Sequence, residues 1–410
     1  MSLSVALRRV MRRDILLLCA VVFAADVVLG MMSPTFSLFA QSLGASLALV
    51  GLLTSTAGLT QFFISVPLGA LSDRHGRKTV LVLGLLGFAL AMLSFAVAPN
   101  PWFLFPGRIL IGLGTTAIFW IGVAYLGDII TAEERGPAFG VYTTAMGLGF
   151  TLGPLLAALI ERQSSVRISY LVGAVIALAT AGLAGWGLRT VQRDKGGVRS
   201  VRVGFGFDDA RYLLRNPSLL AGSIGNLAVQ ASFSAAVFSF FPILAAGLGA
   251  TPAAISSMFS ARAFGSAAAR LPTGMILTKV STWLVISLAL VATLAAMTGM
   301  AISTALGALA ALLVVEGIAY GVYLTAGQAF VAEHSSPTTR GSSIGVYTTA
   351  GSVGSTLGPI ALGVIADLFG VVIVFSVTAV IVLVALVSVV VLYTRRGTTL
   401  GRTPTAIQRR

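Results

Sequence analysis

Arg135–Pro154 reads RGPAFGVYTTAMGLGFTLGP, and Arg340–Pro359 reads RGSSIGVYTTAGSVGSTLGP. The two stretches lie 205 residues apart and agree at 13 of 20 positions. The same offset superposes Pro67 and Gly69 on Pro272 and Gly274, Gly112 on Gly317, and Asp128 on Glu333. One register therefore runs through the chain, and the second half repeats the first. The repeat sits in apolar surroundings. Of 410 residues, 57% are hydrophobic and 10% charged, against about 25% charged in an ordinary soluble protein. The mean hydropathy is +0.97. A soluble chain of this composition would expose large apolar patches, which excludes an ordinary soluble enzyme or nucleic-acid-binding domain. A helical protein that crosses a membrane several times fits.

Working outward from the repeat, we count runs of about 20 apolar residues, the length that crosses a bilayer. The first six cover roughly 15–40, 46–71, 79–98, 101–128, 137–160 and 167–190. The second six cover roughly 218–247, 252–278, 281–303, 305–333, 341–366 and 370–394. An even number of spans per half makes the repeat parallel, with its axis along the membrane normal. That is the organisation of a transporter rather than of a channel or a membrane enzyme. The predicted fold is all-α and integral to the membrane, with twelve spans in two pseudo-symmetric six-helix bundles. Residues 1–190 form the first bundle, 191–217 a cytoplasmic linker, and 218–410 the second bundle with a basic tail. Within the linker, Phe207–Arg215 reads either as a short amphipathic helix on the membrane surface or as a solvated connection.

The net charge of +14 belongs to one face of the membrane. With the N-terminus inside, 22 of the 27 Lys and Arg residues fall in the tails and even-numbered loops, and only Arg162 and Arg167 on the other side. This is the positive-inside pattern. It accounts for the basic balance without nucleic acid. The single Cys19 excludes an internal disulfide. The first apolar run, from Ile15, lacks a small-residue cleavage site, and no Asn-x-Ser/Thr acceptor is present. The expected location is a prokaryotic inner membrane, with both termini cytoplasmic.

Between spans 2 and 3 stands Gly69-Ala-Leu-Ser-Asp73-Arg74-His75-Gly76-Arg77-Lys78. It resembles the G-x-L-x-D-R-x-G-R-K signature of the major facilitator superfamily. Arg108-x-x-x-Gly112 in span 4 looks like that family's Arg-Gly motif. Gly149-x-x-x-Gly153-Pro154 in span 5, repeated as Gly354-x-x-x-Gly358-Pro359 in span 11, looks like the Gly-Pro motif of its antiporter branches. Leu29-Gly30 followed by Pro34 looks like a further element of those branches. In the second half Thr278 replaces the acid, and only Lys279 remains of the basic cluster. The resemblance covers essentially the whole chain. It implies alternating access and a cytoplasmic latch that breaks on inward opening.

Chemistry alone reads the same residues as follows. Gly69 and Gly76 permit a tight turn and close helix approach. Asp73 is expected to face the start of span 11 near Gly341, where a helix dipole favours an anion, and Arg77 to bridge to Asp128. Simple anchoring of loops at the interface is the competing reading. The paired small residues of spans 5 and 11 let backbones approach closely, and these helices are expected to form the interface between the halves. Tyr142 and Tyr347 occupy equivalent places, as rims of the cavity or as interfacial anchors.

Four ionisable groups lie deep in spans: Asp26, Arg108, Arg262 and Glu316. A charge at the bilayer centre costs at least about 2.5–3.5 kcal/mol on insertion scales, so each needs a partner or water. Comparable depths suggest Asp26 paired with Arg108 and Arg262 with Glu316, as proton-coupling sites or as static ion pairs. Arg270, nearer the cytoplasmic end, is expected to snorkel outward. Gln61, Phe119, Gln230, Phe238 and Tyr320 complete the candidate substrate-binding residues. His75, His334 and the lone cysteine form no metal set, and no phosphate-binding loop or cofactor motif appears.

The expected function is proton-coupled export of a small apolar or cationic compound by a monomer. Its partners are substrate, protons and the lipid bilayer, with neither metal nor cofactor. The rivals are a symporter or facilitator importing a sugar or organic acid, and a transport-inactive receptor on the same fold.

Overall fold

In the computed structural model, residues 12–131, 134–190, 216–335 and 340–400 are described. The first bundle comprises α1 (Arg13–Met32), α2 (Leu47–His75), α3 (Arg77–Val97), α4 (Pro101–Ile129), α5 (Arg135–Glu161) and α6 (Val166–Gly187). The second comprises α7 (Pro217–Gly247), α8 (Pro252–Ile276), α9 (Thr282–Ile302), α10 (Leu306–Glu333), α11 (Arg340–Phe369) and α12 (Val372–Leu400). Eleven of these are long and apolar enough to cross a membrane. The twelfth, α8, matches them in length, but Arg262 and Arg270 make it less apolar. The expected surface helix at Phe207–Arg215 lies outside the described residues.

Local chemistry explains where the helices start, turn and break. Ser46, Asn216 and Thr251 cap α2, α7 and α8, each side-chain oxygen accepting a backbone N–H. Gly76, at φ +88°, makes the turn from α2 to α3, a conformation that only glycine adopts without strain. Gly69 has open space around it and mediates no close approach, contrary to expectation. The helix α1 breaks at Ser33-Pro34-Thr35 and resumes over Phe36–Ser42, because Pro34 cannot donate to the helical ladder. Its repeat partner α7 is widened into a π-helix over Ser232–Phe240, which corresponds to 27–35 in the first half. A second π segment, Thr116–Trp120, lies midway along α4.

The glycines of the Gly-Pro motifs pack within each bundle, while the helices that carry them, α5 and α11, also face the opposite bundle. Gly149 and Gly153 lie against the Phe23 and Val27 carbonyls of α1, and the Pro154 ring lies against Gly30. Gly354 and Gly358 meet Leu227 and Ala231 of α7 in the same way. No Cβ would fit at Gly153 without displacing the α1 backbone. Close approach holds α5 to α1 and α11 to α7.

The bundles meet along two seams, α2 with α11 and α5 with α8. The close contacts cluster at the face opposite the turn between α2 and α3. On one seam Leu47 N–H donates to Asp367 (2.9 Å), and Gly51 sits against the Pro359 carbonyl. On the other Ser256 donates to Glu161 (2.8 Å) and Ser260 to the Thr151 carbonyl (2.8 Å). Toward the face of the α2–α3 turn these seals give way to cavities.

Candidate functional site

A cavity of about 230 Å³ lies between the bundles, a little under the roughly 300 Å³ at which small-molecule sites begin. Asp26 of α1 and Phe150 of α5 line it from the first bundle, and Phe233, Arg262, Arg270 and Tyr320 from the second. Asp26 is only 6% exposed, and its Oδ2 has no hydrogen-bond partner. A carboxylate so placed is expensive unless protonated, hydrated or met by a cation. Opposite it, Arg262 Nε bonds Glu316 Oε2 at 2.6 Å, both side chains almost wholly buried. The guanidinium lies 4.7 Å from the ring centre of Phe233 and 5.1 Å from that of Tyr320, a cation–π bracket. Its Nη2 remains unpartnered. Tyr320 donates to Gln230 Oε1 at 2.9 Å, which fixes the ring.

A second cavity lies between α2, α4 and α11, lined by Gln61, Phe62, Trp120 and Ser352 among others. Its lining combines uncharged polar side chains with the Phe62 and Trp120 rings and carries no charged group.

The Arg262–Glu316 pair appears as read from the sequence. The Asp26–Arg108 pair does not. All three guanidinium nitrogens of Arg108 are engaged elsewhere: Nε with the Leu53 carbonyl (2.9 Å), Nη2 with the Thr54 carbonyl (2.7 Å) and Nη1 with Met32 Sδ (3.9 Å). The guanidinium also lies 4.7 Å from the Phe36 ring centre. Arg108 thus ties α4 to α2 and to the broken end of α1. Depth along a helix carried the sequence argument, whereas the direction in which each side chain leaves its helix decided the outcome.

Tyr142 and Tyr347 are corrected too. Both are buried, their hydroxyls pressed against Gly122 and Gly327 and without hydrogen-bond partners, and neither is among the residues lining these two cavities. Phe119 is partly buried against the first-bundle core, and its neighbour Trp120 takes the cavity position. Phe238 packs on Phe233, 5.8 Å between ring centres, one layer behind the wall.

At the basic turn, Arg77 bonds Asp73 and Asp128 at 3.1 Å each and Ser72 at 3.0 Å. Arg74 is exposed. Asp73, Arg77 and Asp128 lie together within the first bundle, while the side chains at Arg340 and Gly341, where Asp73 was expected to dock, lie outside the described residues. The second half keeps a neutral counterpart: Thr282, equivalent to Arg77, donates to Glu333, equivalent to Asp128, at 2.6 Å.

Two residues escaped sequence reasoning. Arg270 lines the cavity instead of snorkelling away from it. Its spacing from Arg262 on one helix, about two turns, was the available signal. Glu161 bonds Ser256 across the seam and also accepts from Thr35 (3.4 Å). As a span-terminal acid it carries no distinctive motif.

The sequence profile of the Major Facilitator Superfamily matches residues 18–243 and again 222–409. Among curated proteins, the chain is 36% identical over 126 residues to the class C tetracycline resistance protein of Escherichia coli, 31% of each chain. It is 30% identical over 166 residues to multidrug resistance protein 2 of Bacillus subtilis, 40% of this chain and 41% of that one. These matches span less than half of either relative's length. Among solved structures, the nucleoside transporter NupG superposes with a TM-score of 0.77 at 16% identity, over 93% of this chain and 99% of that one.

Proposed function

The chain belongs to the major facilitator superfamily, and from that premise we propose that it is a proton-coupled exporter of small apolar or cationic compounds. The observation that carries this reading is Asp26, a buried carboxylate with a free oxygen lining a cavity walled by Phe150, Phe233 and Tyr320. Aromatic faces suit an apolar or cationic guest, and Asp26 suits either a proton or a cation. A cation bound at Asp26 competes with the proton, so the two travel in opposite directions through one reorienting cavity. Likeness to resistance proteins of Escherichia coli and Bacillus subtilis supports the same direction. On this reading the membrane is a prokaryotic inner membrane and the basic face cytoplasmic. The Asp73–Arg77–Asp128 cluster is a latch, and the seals at Glu161 and Asp367 close the outer side.

A second reading rests on Arg270 and the free Nη2 of Arg262. An anion held there binds best when Asp26 is neutral, so it travels with the proton, as in a symporter. Substrate charge thus sets the sign of coupling. Proteoliposomes loaded with a pH-sensitive dye and given ethidium, a flat organic cation, test the difference. Export predicts that an imposed proton gradient drives ethidium against the direction of proton flow, with dye and ethidium signals both lost in Asp26→Asn. Proton and solute moving the same way, or ethidium moving unchanged in Asp26→Asn, overturns it.

A further inference from the structure

Arg108, Arg262 and Arg270 lie away from the ends of their helices, and they differ in the freedom the structure leaves them. Arg108 and its partners, the carbonyls of Leu53 and Thr54, all belong to the first bundle. Arg262 and Glu316 both belong to the second. Neither set changes when the bundles move as rigid bodies, since both members move together. Arg270 differs. It stands on α8 of the second bundle, is exposed to the cavity, and shares that cavity with Asp26 on α1 of the first. Among the described residues no ion pair holds it. Coulomb's law makes the interaction of an Arg with a carboxylate depend directly on their separation, and only a pair divided between bundles has a separation that rocking alters.

We infer that Arg270 is a positioning residue for proton coupling: the cation through which the relative placement of the two bundles sets the proton affinity of Asp26. This rests on the reading of Asp26 as the proton carrier. The other groups facing Asp26 do not supply that dependence. Tyr142 and Gly149 on α5 lie in its own bundle and move with it. Arg262 from α8 is already neutralised by Glu316 at 2.6 Å, and Tyr320 from α10 is uncharged and bonded to Gln230. Arg270 adds the one uncompensated positive charge to the cavity wall, and it stands across the boundary that moves.

The test needs no substrate. The protonated-carboxyl infrared band of the purified full-length protein is followed against pH, and the component lost in Asp26→Asn is assigned to Asp26. Arg270 is then varied to Lys, Gln and Glu, an exposed position where folding tolerates change. An opposite charge within reach shifts a carboxyl by about 1–3 pH units. Arg270→Gln is therefore expected to move the Asp26 midpoint to higher pH by about one unit, a tenfold gain in proton affinity. Arg270→Glu is expected to move it further, and Arg270→Lys to leave it near the wild-type value. Equal midpoints across the series, or a shift in Arg270→Lys as large as in Arg270→Gln, overturns the inference while leaving Asp26 as carrier. A band that Asp26→Asn does not remove overturns the proton-carrier reading itself, and the inference with it.

Discussion

Asp26 and Arg108 share a bundle but not a chemistry, and their surroundings predict opposite phenotypes. Asp26 has a free oxygen in a cavity, so Asp26→Asn is expected to abolish gradient-driven accumulation while solute exchange and binding persist. Its binding curve is expected to become flat with pH, measured by equilibrium binding across the titration range. Arg108 instead holds two backbone carbonyls through charge-assisted bonds, each worth about 1.5–3 kcal/mol. Arg108→Gln is expected to lower the melting temperature while leaving the shape of the pH profile unchanged. The sequence made all four deep charges visible because membranes make such residues rare. Which charges pair was not visible for Asp26, because depth along a span says nothing about azimuth around the helix.

At the level of helices, two glycines of similar tightness serve different contacts. Gly153 packs α5 on α1 inside one bundle, whereas Gly51 packs α2 on α11 across a seam. Gly153→Ala is expected to destabilise the fold by about 1–3 kcal/mol, as overpacking generally does, and the readout is thermal unfolding in detergent. Gly51→Ala is expected to leave unfolding nearly unchanged. It should instead wedge the seal open, raising cysteine labelling of cavity positions from the face opposite the α2–α3 turn. Equal effects of the two changes on labelling would remove the distinction between packing and sealing glycines. The helices themselves were legible because each needs about 20 apolar residues. The widened turns at Thr116–Trp120 and Ser232–Phe240 were not. Composition distinguishes an α from a π turn poorly, and the choice falls to neighbouring packing such as Ser234 donating to the Ser355 carbonyl at 2.6 Å.

For the molecule as a whole, polar bonds tie the two bundles together at one face. Each seam is sealed by one carboxylate, Glu161 to Ser256 and Asp367 to the Leu47 amide. Glu161→Gln combined with Asp367→Asn is expected to shift the population toward the state open at that face, seen as longer spin-label distances across both seams. Unchanged distances would assign the closure to the glycine contacts alone. The twofold plan was readable directly from the 205-residue repeat. The asymmetry of the cavity was not, since it depends on α8, where Arg262 and Arg270 occupy the places of Ala57 and Ser65 in the first half. That helix has a consequence for how the protein is made. Emerging from the ribosome with two arginines, at about 2.5–3.5 kcal/mol each on insertion scales, α8 is a poor independent guest of the bilayer. Its neutralising partner Glu316 is translated 54 residues after Arg262. Nascent chains halted before α10 should therefore leave α8 largely uninserted, and chains long enough to deliver Glu316 should draw it into the membrane.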